Sequence, residues 1–185
     1  MAHTGSQAGA KAAKTEMGEL ECMIAGSPKS EDVCAKLARI LSVHRSEIAL
    51  LRLEKGSLRF IYPVELRSAG VLPLSGSAVA ARTAATRTPL LSNTFMRVRH
   101  ASLFEAVKLS KGEDEQGMDQ MPIQKIMSVP VSTEPGAVLG VIQVSRKGLD
   151  AKLAGADFTG EDLKKLEKAA ELLARMPFMQ EGADV

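Results

Sequence analysis

The stretch "SNTFMRVRH", Ser92 to His100, concentrates residue types able to hold a small anion. Arg97 and His100 are three apart and share a helical face, whereas Arg99 diverges from Arg97 by about 200°. Asn93 and Thr94 stand where such a helix would begin, so side-chain and backbone donors could converge there on a carboxylate or phosphate. Phe95 adds an apolar wall to this candidate ligand site. The competing reading is a solvated basic face paired with Glu113, Asp114 and Glu115, and spacing leaves both open. A second polar set interrupts two apolar runs: Ser128 in "IQKIMSVPV", and Gln143 and Ser145 in "AVLGVIQVS". In paired strands these are further candidate ligand contacts, the register deciding whether Gln143 or Ser145 faces a pocket.

Catalytic and metal chemistry find little support. His3, His44 and His100 are scattered, no HxxxH, HExxH or paired-cysteine spacing occurs, and Glu113 to Glu115 lack the alternation of a calcium loop. No nucleophile elbow supports Ser/His/Asp catalysis. Cys34 follows Val33 on a helical stretch and reads as a packing residue, while Cys22 could link two subunits under oxidation. We expect no catalytic residue, no metal and no enzymatic activity; no cofactor is specified.

The elements that must position these residues alternate between the two hydrophobic periods. A short helix is expected from Glu16 to Ile24. "SPKSEDVCAKLARIL" restarts a helix after Pro28, with Ser30 as its cap and Val33, Leu37, Ile40 and Leu41 on one face. "EIALLRL" and "LRFIYPV" form a hairpin around Gly56, with Leu58, Phe60, Tyr62 and Val64 pointing the same way. After "GVLPL", the Ala-rich helix "SGSAVAARTAATRTP" must stop near Pro89, and "PLLSN" reads as a short strand. "TFMRVRHASLFEAVKLS" is predicted helical, and the acidic, Gly-bearing segment at about 110–121 a mobile loop. The strands around Ser128 and Gln143 pair antiparallel through a turn at Pro135 and Gly136. The last helix opens at Thr159 with Asp162 three residues on, close to a capping box, and buries Leu163, Leu166, Ala170 and Leu173. Lys147 and Asp162 are expected to clasp the strand end to that helix's first turn, where an aspartate suits the dipole. Element order predicts an α+β domain with one antiparallel sheet over residues 16–176, a flexible tail at 1–15 and a C-terminal tail at 177–185.

Composition sets the outer bounds. With 185 residues, 45% of them hydrophobic, and 24 basic against 22 acidic residues, one ordinary core is expected and bulk charge does not imply nucleic acid. No apolar run of bilayer-spanning length occurs, and two separated cysteines suit a reducing compartment; the expectation is a cytoplasmic protein without a membrane partner.

The helix "GSAVAARTAATRTPLLSN", the "SVPV" strand, and "VLGVIQVSRKG" followed by "FTGEDLKKLEKAA" together resemble a GAF domain, from about Ser30 to Arg175. The resemblance implies a central antiparallel sheet, first and last helices packed together on one face, a ligand pocket over the other, and often a homodimer through those terminal helices. It also implies departures. Cyclic-GMP-binding members carry Asn-Lys at this strand end, then Phe, three residues and Asp-Glu. Lys147, Phe158 and Asp162 match, but Arg146 and Leu163 do not. Free methionine sulfoxide reductases of this fold place cysteines around the pocket, where this chain has none. Bilin-binding members use a Cys-His dyad, and here Arg99 precedes His100. The expected function is a non-enzymatic sensory or regulatory domain that binds a small molecule and signals through a terminal-helix dimer or a separate partner protein. The alternatives are a ligand-free interaction module collapsed around Met127 and Phe95, or an enzyme of the sulfoxide reductase type.

Overall fold

The structure is a computed structural model that describes residues 16–95, 121–134 and 136–181. Arg97, His100, most of the expected 110–121 loop, Pro135 and the N-terminal tail therefore lie outside the described residues. Helix α1 (16–25) leads into α2 (Ser30–Ile40), then strands β1 (Ile48–Glu54), β2 (Ser57–Tyr62) and β3 (Val71–Pro73). Helix α3 (Val79–Thr86) and β4 (Leu90–Ser92) come next, then the long strands β5 (Ile123–Ser132) and β6 (Val138–Lys147), α4 (Gly160–Leu173) and α5 (Pro177–Gln180). The six strands form one antiparallel sheet in the order β3-β2-β1-β6-β5-β4.

Alternation along the central strands sorts the core into two layers, because successive side chains point to opposite faces. Ile48 and Leu50 of β1 and Ile142 and Val144 of β6 pack with Leu20, Leu37, Leu41, Leu166 and Leu173 from the terminal helices. Ala49, Leu51 and Val141 face the other way, against Ala80 and Ala84 of α3. All four terminal helices thus share one face, and α3 lies on the opposite one. This is the expected α+β architecture.

Several local expectations need correction. Ser30 is not the cap of α2: Lys29 is, without a side-chain cap bond, and the Ser30 hydroxyl donates instead to Glu31 Oε2 at 3.0 Å. Leu58 and Phe60 share the α3 face, but Tyr62 packs on the terminal-helix side and Val64 is exposed in a 3-10 turn. The cause is a bulge: Leu50 pairs with Tyr62 and Leu51 with Phe60, so Ile61 is an extra residue that reverses the facing of the strand beyond it. The expected tail at 177 instead begins with α5, whose Met179 is 1% exposed within the terminal-helix core.

Close approach of β1 and β6 depends on Gly140, opposite Arg52. A Cβ there would run into the Leu51 carbonyl oxygen and stand 2.7 Å from Met179 Cε. Gly140→Ala is therefore expected to lower unfolding free energy by about 1–3 kcal/mol. Gly160→Ala, where no atom lies within 4 Å, should leave it unchanged or raise it by up to about 1 kcal/mol. Urea denaturation of the two variants checks the contrast.

Tyr62 gives a second readout, since the chain has one Tyr and no Trp. Burial, with a smaller contribution from Cys34, pushes its phenol up to about 12. A folded-state value above the unfolded one, about 10, means a stabilising contribution fully present below about pH 10 and lost as pH rises through 12. Ultraviolet titration at the phenolate band is expected to show one transition near 12 in the folded chain and near 10 in urea.

Candidate functional site

Helix α3 is short, Ala-rich and lacks a side-chain N-cap; it ends with Arg87 in the left-handed region (φ 56) just ahead of Pro89. What seats it on the sheet, besides Ala80 and Ala84, is a buried polar link. Thr83 Oγ1 and Ser128 Oγ are 2.8 Å apart, and Gln143 Nε2 donates to Ser128 Oγ at 3.2 Å. Ser128 is fully buried and Thr83 and Gln143 nearly so. Sequence reasoning missed Thr83, because a threonine in an alanine-rich helix carries only the weak signal of falling on the inward face.

The structure brings some of the predicted site residues together and separates others. Gln143 and Ser145 are two apart in one strand and face the same side, so the expected choice between them does not arise. Gln143 reaches Ser128, whereas Ser145 Oγ donates to the Glu47 carbonyl at 3.2 Å. Asn93 is not presented to a ligand: its Oδ1 accepts from Phe158 N at 2.9 Å and its Nδ2 donates to Phe158 O at 3.0 Å. Phe95 lies in a small core with Val79, Ile123 and Ile126, and Thr94 is exposed. Met127 faces the terminal helices, so it cannot share a collapsed pocket with Phe95.

A cavity of ≈ 310 Å³ opens beside α3. Val79, Arg82, Thr83 and Thr86, on one helical face, form one wall, and Pro89 and Leu90 help form the other. The volume falls at the low end of small-ligand pockets, about 300–1,000 Å³. Thr83 links this wall to Ser128 and Gln143. A larger cavity, ≈ 570 Å³, lies at the other side among α2, β1, β2 and α5. Its arginines are paired with carboxylates: Arg52 with Glu54 and Glu181, Arg59 with Glu54, and Arg67 with Glu31. The Arg52 hydrogen bond, with Arg59 nearby, holds the Glu54 carboxyl below its ordinary range.

The strand-end residues Arg146 and Lys147 hold the fold together at this edge. Arg146 donates to Ser42 O at 3.1 Å and Leu41 O at 3.4 Å, covering the carbonyl end of α2, and lies 4.8 Å above the Phe158 ring. The expected Lys147–Asp162 clasp is not formed. Lys147 Nζ donates to Ser46 O at 3.2 Å, while Asp162 completes a capping box with Thr159. Glu47, buried and unremarked in the sequence, accepts from Lys147 N at 2.6 Å and His44 N at 2.8 Å. Its signal would have been a short polar turn, "HRSE", directly ahead of an apolar strand.

Neither cysteine approaches the α3 cavity. Cys34 is buried in the terminal-helix core, where loss of hydration, reinforced by Glu31, pushes its thiol up. Cys22 is exposed on α1. Among the described residues no group of three or more His, Cys, Asp or Glu could hold a metal ion, and no helix is long and apolar enough to cross a membrane.

This architecture, terminal helices on one face of an antiparallel sheet and a cavity beside the helix on the other, is the GAF domain fold. The GAF domain of an Acinetobacter phosphoenolpyruvate-protein phosphotransferase superposes with a TM-score of 0.65 over 99% of this chain and 99% of its own, at 13% identity. That of the Coxiella burnetii phosphoenolpyruvate-protein phosphotransferase gives 0.66 over 92% and 95%, also at 13% identity. The type II free methionine-R-sulfoxide reductase from Thermoplasma acidophilum gives 0.52 over 88% and 96%, at 16% identity. No family model matches the sequence, and neither does any curated protein.

Ser128→Ala removes one oxygen that both Thr83 and Gln143 use, leaving two buried polar groups unpaired. The expected loss is about 1–3 kcal/mol. In a double-mutant cycle, Thr83→Val and Ser128→Ala should couple by about 0.5–3 kcal/mol in chemical denaturation.

Proposed function

We propose that this chain is a non-enzymatic sensory or regulatory module that binds a small molecule in the α3 cavity. The observation that carries this reading is the cavity wall itself: α3 offers one face to the cavity and is tied through Thr83 to Ser128 and Gln143 on the two central strands. A ligand that ordered this wall would act on β6. On its other face and at its end, β6 touches the terminal helices through Ile142, Val144 and Arg146. Output would then pass through a terminal-helix homodimer or to a separate partner protein, in a cytoplasmic setting.

Two other readings meet different fates. A thiol enzyme of the sulfoxide reductase type is disfavoured because a thiolate nucleophile must stand beside its substrate, and Cys34 is buried on the far face of the sheet while Cys22 is on α1. A ligand-free interaction module is favoured by one observation: Ser128 and Gln143 already satisfy each other.

Native mass spectrometry of the purified chain, before and after denaturation, tests the proposal. The expected result is a dimer carrying a discrete noncovalent mass. Adding that compound at a hundredfold excess over Kd should stabilise the fold by about 2.7 kcal/mol, or about 5–10 °C in Tm. A chain with no bound mass and no thermal response to metabolite panels would leave the interaction module standing instead. Turnover of free methionine sulfoxide that is lost in Cys22→Ser would refute the non-enzymatic assignment.

A further inference from the structure

The two cavities differ in how their arginines are partnered. In the larger one the arginines find carboxylates: Arg52, Arg59 and Arg67 pair with Glu54, Glu181 and Glu31. Among the described residues, the lining of the α3 cavity contains Arg82 and no acidic residue. Arg82 makes no ion pair among the described residues, and it is exposed. The surrounding chain does not supply a counter-charge locally. From Leu66 to Phe95 there are three arginines, Arg67, Arg82 and Arg87, and no Asp or Glu. The first turn of α3 holds no acidic residue either.

Resting on the ligand-binding reading above, we infer that the ligand of the α3 cavity is a compact organic anion whose carboxylate or phosphate is held by the Arg82 guanidinium. A guanidinium is always charged near neutral pH and presents parallel N–H donors that match a carboxylate or phosphate in bidentate fashion. Its position is set by α3, not by a loop: Arg82 lies three residues after Val79 and four before Thr86, on the face that forms the cavity wall. The Thr86 hydroxyl donates to Arg82 O at 2.9 Å, so the last turn is held from within. The other polar groups of the lining do not substitute for a cation. Thr83 is engaged with Ser128, and the Thr86 and Thr88 hydroxyl protons go to backbone carbonyls. Val79, Pro89 and Leu90 offer an apolar body contact to whatever carries the anionic head. At ≈ 310 Å³ the cavity favours a ligand of metabolite or mononucleotide size over a dinucleotide.

The test is a thermal-shift and calorimetric comparison of the wild-type chain with Arg82→Gln and Arg82→Lys. The probes are inorganic phosphate, malonate, glutamate, AMP and GMP, with malonamide, adenosine and guanosine as the neutral counterparts of malonate, AMP and GMP. At least one anion is expected to raise Tm while its neutral counterpart does not, and the carboxylate and phosphate arms identify which head the site takes. Arg82→Gln should weaken that binding by about 10- to 100-fold. Arg82→Lys, which keeps the charge but loses the fork, should fall between. Neutral compounds that bind as tightly as the anions, or an anion whose affinity survives Arg82→Gln, overturn the inference and leave the sensory reading in place. If no compound of either kind binds and none co-purifies, the sensory reading falls, and the inference with it.

Discussion

Strand β6 is hydrogen-bonded on both edges, to β1 through Ile48–Arg52 and to β5 along nearly its whole length, and beyond a bulge at Leu139 its side chains alternate between two different environments. Ile142 and Val144 enter the layer of terminal helices, while Val141, Gln143 and Ser145 face the side of α3. Because the period of a strand is two, a slip of one residue would bury Gln143 among leucines and turn Ile142 toward α3. Gly140 guards that register by allowing β1 to approach where a side chain would strike the Leu51 carbonyl. The rest of the molecule is arranged around this strand.

From that alternation comes a division of chemical labour. The terminal-helix face is nearly all apolar, and it contains Cys34 as a packing residue whose thiol is held protonated by burial. At its rim Arg146 closes the end of α2 and stacks on Phe158, and Lys125, 4% exposed, pairs with Asp157 at 2.8 Å. These cations serve the fold. The opposite face is where polar atoms are buried in connected form, Thr83 with Ser128 and Ser128 with Gln143. Beside them lies a cavity whose one arginine has no counter-ion among the described residues. A buried polar chain of this kind adds little net stability but makes one packing of α3 preferable to its alternatives.

The comparison with solved GAF domains shows how loosely this fold specifies chemistry. Structures at 13–16% identity superpose over most of the chain and include both phosphotransferase-associated GAF domains and a sulfoxide reductase. Fold alone therefore does not choose between sensing and catalysis. The choice rests on side chains: where the thiols stand, and which cavity holds an arginine without a carboxylate partner among the described residues.

By itself the sequence determined the order of the described helices and strands from α1 to α4, the antiparallel pairing of β5 with β6, the Thr159–Asp162 capping box and the buried stripes of α2 and α4, because each is written in local periodicity or in cap chemistry a few residues long. It did not disclose which polar residues would meet. Asn93 reads as a ligand donor until Phe158, 65 residues on, takes both ends of its amide. Arg146 reads as a departure from a nucleotide motif until Ser42, 104 residues earlier, accepts its guanidinium. Tyr62 reads as part of one alternating face until the bulge at Ile61 turns it over. Such outcomes depend on contacts between distant segments, and neither hydrophobic period nor residue spacing carries information about a partner that only chain folding brings near. Tertiary structure alone decided that Arg82, unremarkable in an alanine-rich helix, would stand at a cavity where no carboxylate among the described residues answers it.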